Sequence, residues 1–188
     1  MIRYYITDRA QLGSVEALLE NIAKQLARGI EIIQLRERDL SARDLLSLAE
    51  TVLRIPNPGG TRLLINDRID VALACGAAGV HLRGNAVAPR RIRKMTPGDF
   101  LIGVSCHSVE DVRRAEDEGA SFAVLAPIFA TPGKGPALGI GPLAEAARAV
   151  KIPVLALGGM THERVKECMD AGAGGIAGIS LFQGIKTR

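Results

Sequence analysis

The chain has 188 residues, of which 47% are hydrophobic and 23% charged, and its formal net charge is +4. That length and apolar content suit one domain with a sizeable core and exclude a disordered chain. Aromatic residues make up only 3% and Trp is absent, so the core must be built from Val, Ile, Leu and Ala, a composition that suits a parallel sheet buried under helices.

The first strand-length apolar run covers residues 2–7. After it, Val15, Leu18, Leu19, Ile22, Ala23 and Leu26 follow the i, i+3, i+4, i+7 spacing of one helix face. A second strand is expected at 30–36, and Ser41 with Asp44 has the S-x-x-D spacing of a helix start. Further strands are expected at 62–66, 79–82, 100–105, 122–126, 153–157 and 174–179, with Ser108 and Asp111 opening the helix after the fifth. Gly29, Gly76, Gly119 and Gly172 each stand between a helical stretch and a strand, where a glycine can close the helix. Three of them begin a similar phrase: Gly76-Ala77-Ala78-Gly79-Val80, Gly119-Ala120-Ser121-Phe122-Ala123 and Gly172-Ala173-Gly174-Gly175-Ile176. The recurring unit is a βα pair.

Eight strands in strict alternation with helices predict an α/β protein of the (β/α)8 TIM-barrel class, as a single domain over 1–188. A doubly wound open sheet would carry a Gly-rich loop after its first strand, and here Thr7-Asp8-Arg9 stands there. Only Leu181 to Arg188 follow the last strand, so the eighth helix is expected to be short or missing. That leaves an apolar seam which a second copy of the chain could cover, and a homo-oligomer is one expectation.

Several partners are argued against. No apolar run approaches the roughly 18–20 residues that cross a bilayer, and Met1-Ile2-Arg3-Tyr4 opens on a strand-like run without signal-peptide layout, so a cytoplasmic protein with no membrane partner is expected. Cys75, Cys106 and Cys168 are odd in number and widely spaced, which speaks against a disulfide framework or a zinc site. Basic residues alternate with acids, as in Arg113-Arg114-Ala115-Glu116-Asp117, so the positive charge suits solvated helix faces or phosphorylated substrates rather than nucleic acid.

A barrel of this kind builds its site from the C-terminal ends of the strands and the loops beyond them. The polar residues there include Gln34, Arg36 and Arg38, Asn66 and Asp67, Ser105, Thr131 and Lys134, Gly158 and Gly159, and Ser180. Arginine forks and a lysine point charge suit an anionic ligand. Gly158-Gly159 falls after strand seven, where backbone N–H groups commonly cradle phosphate; the plain alternative is a turn. Asn66-Asp67 could hold a divalent cation carried by a diphosphate, or could be a turn and cap before the next helix. Gln34, Arg36 and Arg38 share one side of an extended strand by period two, with Glu37 facing the other way; ion pairs under the helix layer are the alternative. His81, inside an apolar strand, reads as a satisfied core imidazole, His162 as solvent-facing and Cys106 as packing. Ser105 and His107 lack an orienting carboxylate, which argues against a serine nucleophile.

Seven motifs in order carry a resemblance to a known family: Tyr5-Ile6-Thr7-Asp8-Arg9, Gln34-Leu35-Arg36-Glu37-Arg38, Leu64-Ile65-Asn66-Asp67-Arg68, Gly79-Val80-His81-Leu82, Gly103-Val104-Ser105-Cys106-His107, the run from Pro127 to Lys134, and Leu157-Gly158-Gly159-Met160. The chain resembles the thiamine phosphate synthase/TenI family over nearly its whole length. The resemblance implies a (β/α)8 barrel in thiamine biosynthesis that joins hydroxymethylpyrimidine diphosphate to a thiazole phosphate with Mg2+, releasing pyrophosphate. It implies that Gln34, Arg36, Asn66 and Lys134 serve the pyrimidine-diphosphate side, Asp67 ligates Mg2+, and Ser105 lies near the pyrimidine. Thr131, Gly159, Ile179 and Ser180 fall to the thiazole-phosphate side. Lys134, Ser105 and Arg36 would carry the catalysis, with Arg38 and Gly158 as further substrate contacts.

The chain departs from the synthase pattern in three places. Arg83-Gly84-Asn85-Ala86 stands where synthases carry a Gly-Gln-Glu-Asp segment with a second Mg2+ carboxylate. Arg38 replaces a lysine, and Gly133 replaces a threonine of the thiazole-phosphate clamp. Two alternatives follow: a TenI-like thiazole tautomerase, although that group's catalytic histidine falls at Pro127, and a non-catalytic regulator that binds thiazole or thiamine phosphates.

Overall fold

The structure is a computed structural model and describes residues 1–184. Eight parallel strands close on themselves in sequence order: β1 (Ile2–Ile6), β2 (Ile32–Leu35), β3 (Arg62–Asn66), β4 (Gly79–Leu82), β5 (Leu101–Cys106), β6 (Phe122–Leu125), β7 (Val154–Ala156) and β8 (Gly175–Gly178). The ring is shut by β8 on β1, with Ile2 opposite Gly175 and Tyr4 opposite Ala177. The helices around it are α1 (Arg9–Leu12), α2 (Val15–Ala27), α3 (Ala42–Leu53), α4 (Ile69–Cys75), α5 (Pro89–Arg93), α6 (Val109–Asp117), α7 (Ile140–Ala149), α8 (His162–Asp170) and α9 (Ser180–Gln183). Among the described residues no helix is long and apolar enough to cross a membrane.

Local signals hold where they depend on neighbours along the chain. Ser41 Oγ accepts from Asp44 N at 3.2 Å and Ser108 Oγ from Asp111 N at 3.0 Å, so both expected caps form. Gly29, Gly76, Gly119 and Gly172 all take positive φ at helix ends. The expected second strand is shorter than its apolar run. It ends at Leu35, because the Arg36 N–H donates to Thr7 Oγ1 at 2.9 Å and the buried Glu37 turns back to the first loop. Gln34, Arg36 and Arg38 therefore do not form one strand stripe; Arg38 lies in a turn.

Period two sorts the strand residues into two cores. Tyr4, Ile6, Ile32, Leu64, Phe122, Val124, Leu155 and Ala177 fill the barrel, while the alternate residues pack outward against the helices. The seam expected from a truncated last helix is occupied by α9, whose Gln183 accepts from the Tyr5 hydroxyl at 3.0 Å and from Asp8 N at 2.9 Å. Gln25 Nε2 donates to Phe182 O at 2.8 Å and completes the attachment. Residues 185–188 of the expected stub lie outside the described residues.

Three rings meet inside the barrel. Tyr4 and Phe122 are edge to face at 5.4 Å between centroids, and His81 lies 5.6 Å from Tyr4 and 6.2 Å from Phe122. Gly103 makes room for them: a Cβ there would overlap the Phe122 ring and sit 2.7 Å from His81 Nδ1. Gly103→Ala is expected to lower stability by about 1–3 kcal/mol, the usual cost of overpacking a filled core. Chemical denaturation should show an unchanged m-value with a reduced midpoint; an unshifted midpoint would mean the rings can move aside.

Candidate functional site

All strands run the same way, so their C-terminal ends share one rim, and the candidate residues are delivered there by different strands. Gln34 is the last inward residue of β2. It is 1% exposed and its Nε2 has no hydrogen-bond partner among the described residues. A buried, unpaired donor costs stability unless something else satisfies it. Arg36 follows half-buried, and burial and the neighbouring Arg38 charge both lower its pKa while Asp8, Glu37 and Asp67 oppose them. Neither Arg36 nor the exposed Arg38 has a carboxylate within ion-pair distance among the described residues.

The loop that carries these arginines is braced from beneath. Glu37 Oε1 accepts from the Thr7 hydroxyl at 2.6 Å, and Glu37 Oε2 from Arg9 N at 3.1 Å. Arg9 also pairs with Asp39. The acids of this segment are thus hydrogen-bonded or ion-paired to Arg9 and the backbone, which leaves Arg36 and Arg38 without a direct ion pair among the described residues. The expectation that Glu37 faces away from the arginines holds, and its bracing role is one that period two alone could not assign.

Asn66 ends β3 and Asp67 turns off it with φ 54, its N–H donating to His81 O at 2.8 Å. Asp67, the expected Mg2+ ligand, lies against Arg83. Its Oδ1 accepts from Arg83 N at 3.0 Å and its Oδ2 lies 2.5 Å from Arg83 Nε. Arg83 belongs to the segment that departs from the synthase pattern, and its pairing with Asp67 is not visible in the sequence spacing.

His81 and Ser105 are joined in a chain that starts at Tyr4. The Tyr4 hydroxyl lies 3.0 Å from His81 Nδ1, and His81 Nε2 lies 2.9 Å from Ser105 Oγ. Burial, aided by the Arg36 charge, pushes the His81 pKa down to about 3, so the ring is neutral. Burial also holds the Tyr4 hydroxyl well above the usual phenol range, so Tyr4 keeps its proton. The neutral ring donates through one nitrogen and accepts through the other, so it links Tyr4 and Ser105 in one hydrogen-bonded chain. His81 is a satisfied core imidazole, as expected, and it also ties Ser105 at the rim to Tyr4 in the barrel interior. Cys106 is buried with its thiol pushed up to about 12 by burial, which removes it as a nucleophile.

On the opposite side of the rim the loop after β6 meets the loop after β7. Gly158 and Gly159 have φ +101 and +60, and Cβ atoms there would lie 2.8 Å from Pro127 Cα and 2.7 Å from Ala130 O, so only glycine fits. Their carbonyls are taken: Gly158 O accepts from Phe129 N at 3.2 Å, and Gly159 O from Arg164, whose guanidinium stacks 4.5 Å from the Phe129 ring centre. The N–H groups of Gly158, Gly159 and Met160 find no acceptor among the described residues. Thr131 Oγ1 sits beside Gly158, 3.2 Å from where a Cβ would be. Ile179 and Ser180 follow the neighbouring strand β8 as the cap and first residue of α9. Lys134 is exposed in the long loop after β6, which is pinned at its base by Leu138 N to Pro127 O at 2.8 Å and Gly139 N to Ile128 O at 3.0 Å.

The neutral His81 has a consequence for acid stability. Its folded pKa lies below the usual histidine value near 6.5, so as pH falls below that value the unfolded chain takes up a proton that the folded chain refuses. Stability should drop by about 2 kcal/mol between pH 6.5 and 5, a window above the titration of most carboxylates. In His81→Gln that slope should vanish in denaturant titrations across the window; a persisting slope would assign it to other groups.

The chain has known relatives. A family model described as thiamine monophosphate synthase matches residues 3–182. A relative from Aquifex aeolicus (strain VF5) is 45% identical, with 95% of this chain and 96% of that protein covered. The thiamine-phosphate synthase of Roseiflexus sp. (strain RS-1) is 39% identical over 97% of this chain and 78% of its own length. A solved structure, thiamine phosphate pyrophosphorylase from Pyrococcus furiosus, superposes with a TM-score of 0.87 at 30% identity, covering 98% of this chain and 88% of that one. With nearly every strand, loop and rim residue inside the matched span, the chain belongs to the thiamine monophosphate synthase family.

Proposed function

We propose that this chain is a thiamine-phosphate synthase, an enzyme that joins hydroxymethylpyrimidine diphosphate to thiazole phosphate. The observation that carries the reading is the set of unspent donors on one rim: Arg36 and Arg38 without carboxylates, Gln34 Nε2 without a partner, and the free amides of Gly158 and Gly159 on the far side. Two separated anion-receptive patches suit two phosphorylated substrates.

In this reading Gln34, Arg36, Arg38, Asn66 and Lys134 hold the diphosphate, and Ser105 donates to the pyrimidine. Thr131, Gly158, Gly159, Ile179 and Ser180 hold the thiazole phosphate. The bond between the pyrimidine methylene carbon and the diphosphate oxygen breaks, and its electron pair leaves on pyrophosphate. The thiazole nitrogen then gives its lone pair to the methylene carbon. The protein's part is to align the two rings and stabilise charge on the leaving group. The tautomerase alternative wants an imidazole where Pro127 stands, and no observation favours it.

Synthases of this family generally use Mg2+. The residues present do not form a ready site for the ion. Among the described residues there is no group of three or more His, Cys, Asp or Glu able to hold a metal, and the single candidate ligand, Asp67, is bound at both oxygens by Arg83. The steps above accordingly use only the protein's own groups.

The direct test is purified protein with both precursors, with and without Mg2+, followed for thiamine phosphate and pyrophosphate; absence of both products under both conditions would refute the proposal. Lys134→Ala sharpens it. Loss of one ammonium from the leaving anion should slow pyrophosphate release by about tenfold or more, while thiazole-phosphate affinity changes little. A Lys134→Ala enzyme at the parent rate would remove Lys134 from the mechanism.

A further inference from the structure

The residue that β4 passes to the rim is Arg83, and the contact it makes there is two-pointed. Its backbone N–H donates to Asp67 Oδ1 at 3.0 Å while its Nε lies 2.5 Å from Oδ2. The carboxylate is the better-fixed partner. Asp67 is only 17% exposed, is held in a left-handed conformation by its own N–H bond to His81 O at 2.8 Å, and has Asn66 Nδ2 at 3.3 Å from Oδ2. Arg83, at 61% exposed, meets the carboxylate as an ion pair, and none of its guanidinium N–H groups donates a hydrogen bond among the described residues. Asp67 also lies within electrostatic reach of Arg36, so Arg83 joins the same cationic neighbourhood as Arg36 and Arg38.

A carboxylate engaged at both oxygens is a poor ligand for Mg2+, which demands near-octahedral oxygens and sheds its own water reluctantly. A guanidinium ion-paired to a carboxylate but with its N–H groups not hydrogen-bonded, in contrast, keeps the planar fork that matches phosphate oxygens. We propose that the Arg83 guanidinium, aimed by Asp67, binds the diphosphate directly in place of a metal ion, so that diphosphate binding by this chain does not depend on Mg2+. Asp67 is then a positioning residue, and Arg83 a binding residue on the side of the rim that already holds Arg36. The inference rests on the synthase reading only for the identity of the anion that leaves.

The experiment is calorimetric titration with inorganic pyrophosphate, first in EDTA and then in Mg2+, on the wild type, Arg83→Gln and Arg83→Lys. The wild type should bind in EDTA, and Mg2+ should change its affinity by less than about threefold. Arg83→Gln should weaken binding in EDTA by about tenfold or more, the scale of one charge-assisted contact, and Arg83→Lys should recover only part of it because lysine lacks the fork. Since Arg83 is exposed, both variants should keep the wild-type melting curve. Wild-type binding that appears only with Mg2+, or an Arg83→Gln protein that binds as well as the parent in EDTA, overturns the inference. The titration involves no turnover. A chain that binds as described but makes no thiamine phosphate would refute the synthase reading alone, whereas a chain that makes thiamine phosphate but binds pyrophosphate only with Mg2+ would refute the role of Arg83 alone.

Discussion

The pairing of β8 with β1, in register from Ile2 opposite Gly175 to Tyr5 opposite Gly178, turns an open parallel sheet into a ring. Closure satisfies the backbone groups that would otherwise line two sheet edges. It also forces every strand to end at the same rim, so that residues far apart in the chain, such as Gln34, Asp67, Ser105 and Gly158, become neighbours of one mouth. The α9 residues Phe182 and Gln183 seat against Tyr5, Asp8 and Gln25 beside that closing pair, so the joint is sealed by polar as well as apolar contacts.

The interior of the ring is small, and its contents are correspondingly specific. Most inward positions carry aliphatic side chains, but Tyr4, His81 and Phe122 meet beside Gly103, and two of the three bring polar atoms. Burying them is tolerable only because the polar atoms satisfy one another: Tyr4 to His81, and His81 to Ser105 at the rim. The same chain thus serves packing at one end and presents an oriented hydroxyl at the other. Stability and site geometry are coupled through one imidazole that stays neutral.

Charge at the rim is arranged by which acids are already engaged. Glu37 and Asp39 are taken by Arg9 and the first loop, Asp70 by Arg68, and Asp67 by Arg83. Arg36 and Arg38, with the exposed Lys134 on its loop, are left without carboxylates among the described residues. The formal excess of +4 over the whole chain is modest. The local consequence is larger, because pairing elsewhere leaves cations without direct ion pairs at the rim.

Much of this was written in the chain. The eight strands, the Ser41 and Ser108 caps and the helix-closing glycines were legible because each depends on neighbours within a few residues, through period, capping and turn chemistry. The rim residues were legible for a related reason: in a parallel barrel the end of a strand is the mouth, so position along the chain maps onto position in space. What the chain alone could not decide were the pairings. Arg83 with Asp67, Tyr4 with His81, and Glu37 with Thr7 join residues 16, 77 and 30 positions apart. Those partners meet only once the ring has closed and its register is set, and neither is a local property. The sequence therefore determined which groups reach the mouth, and the tertiary structure decided which of them arrive already bound to one another and which remain free for a ligand.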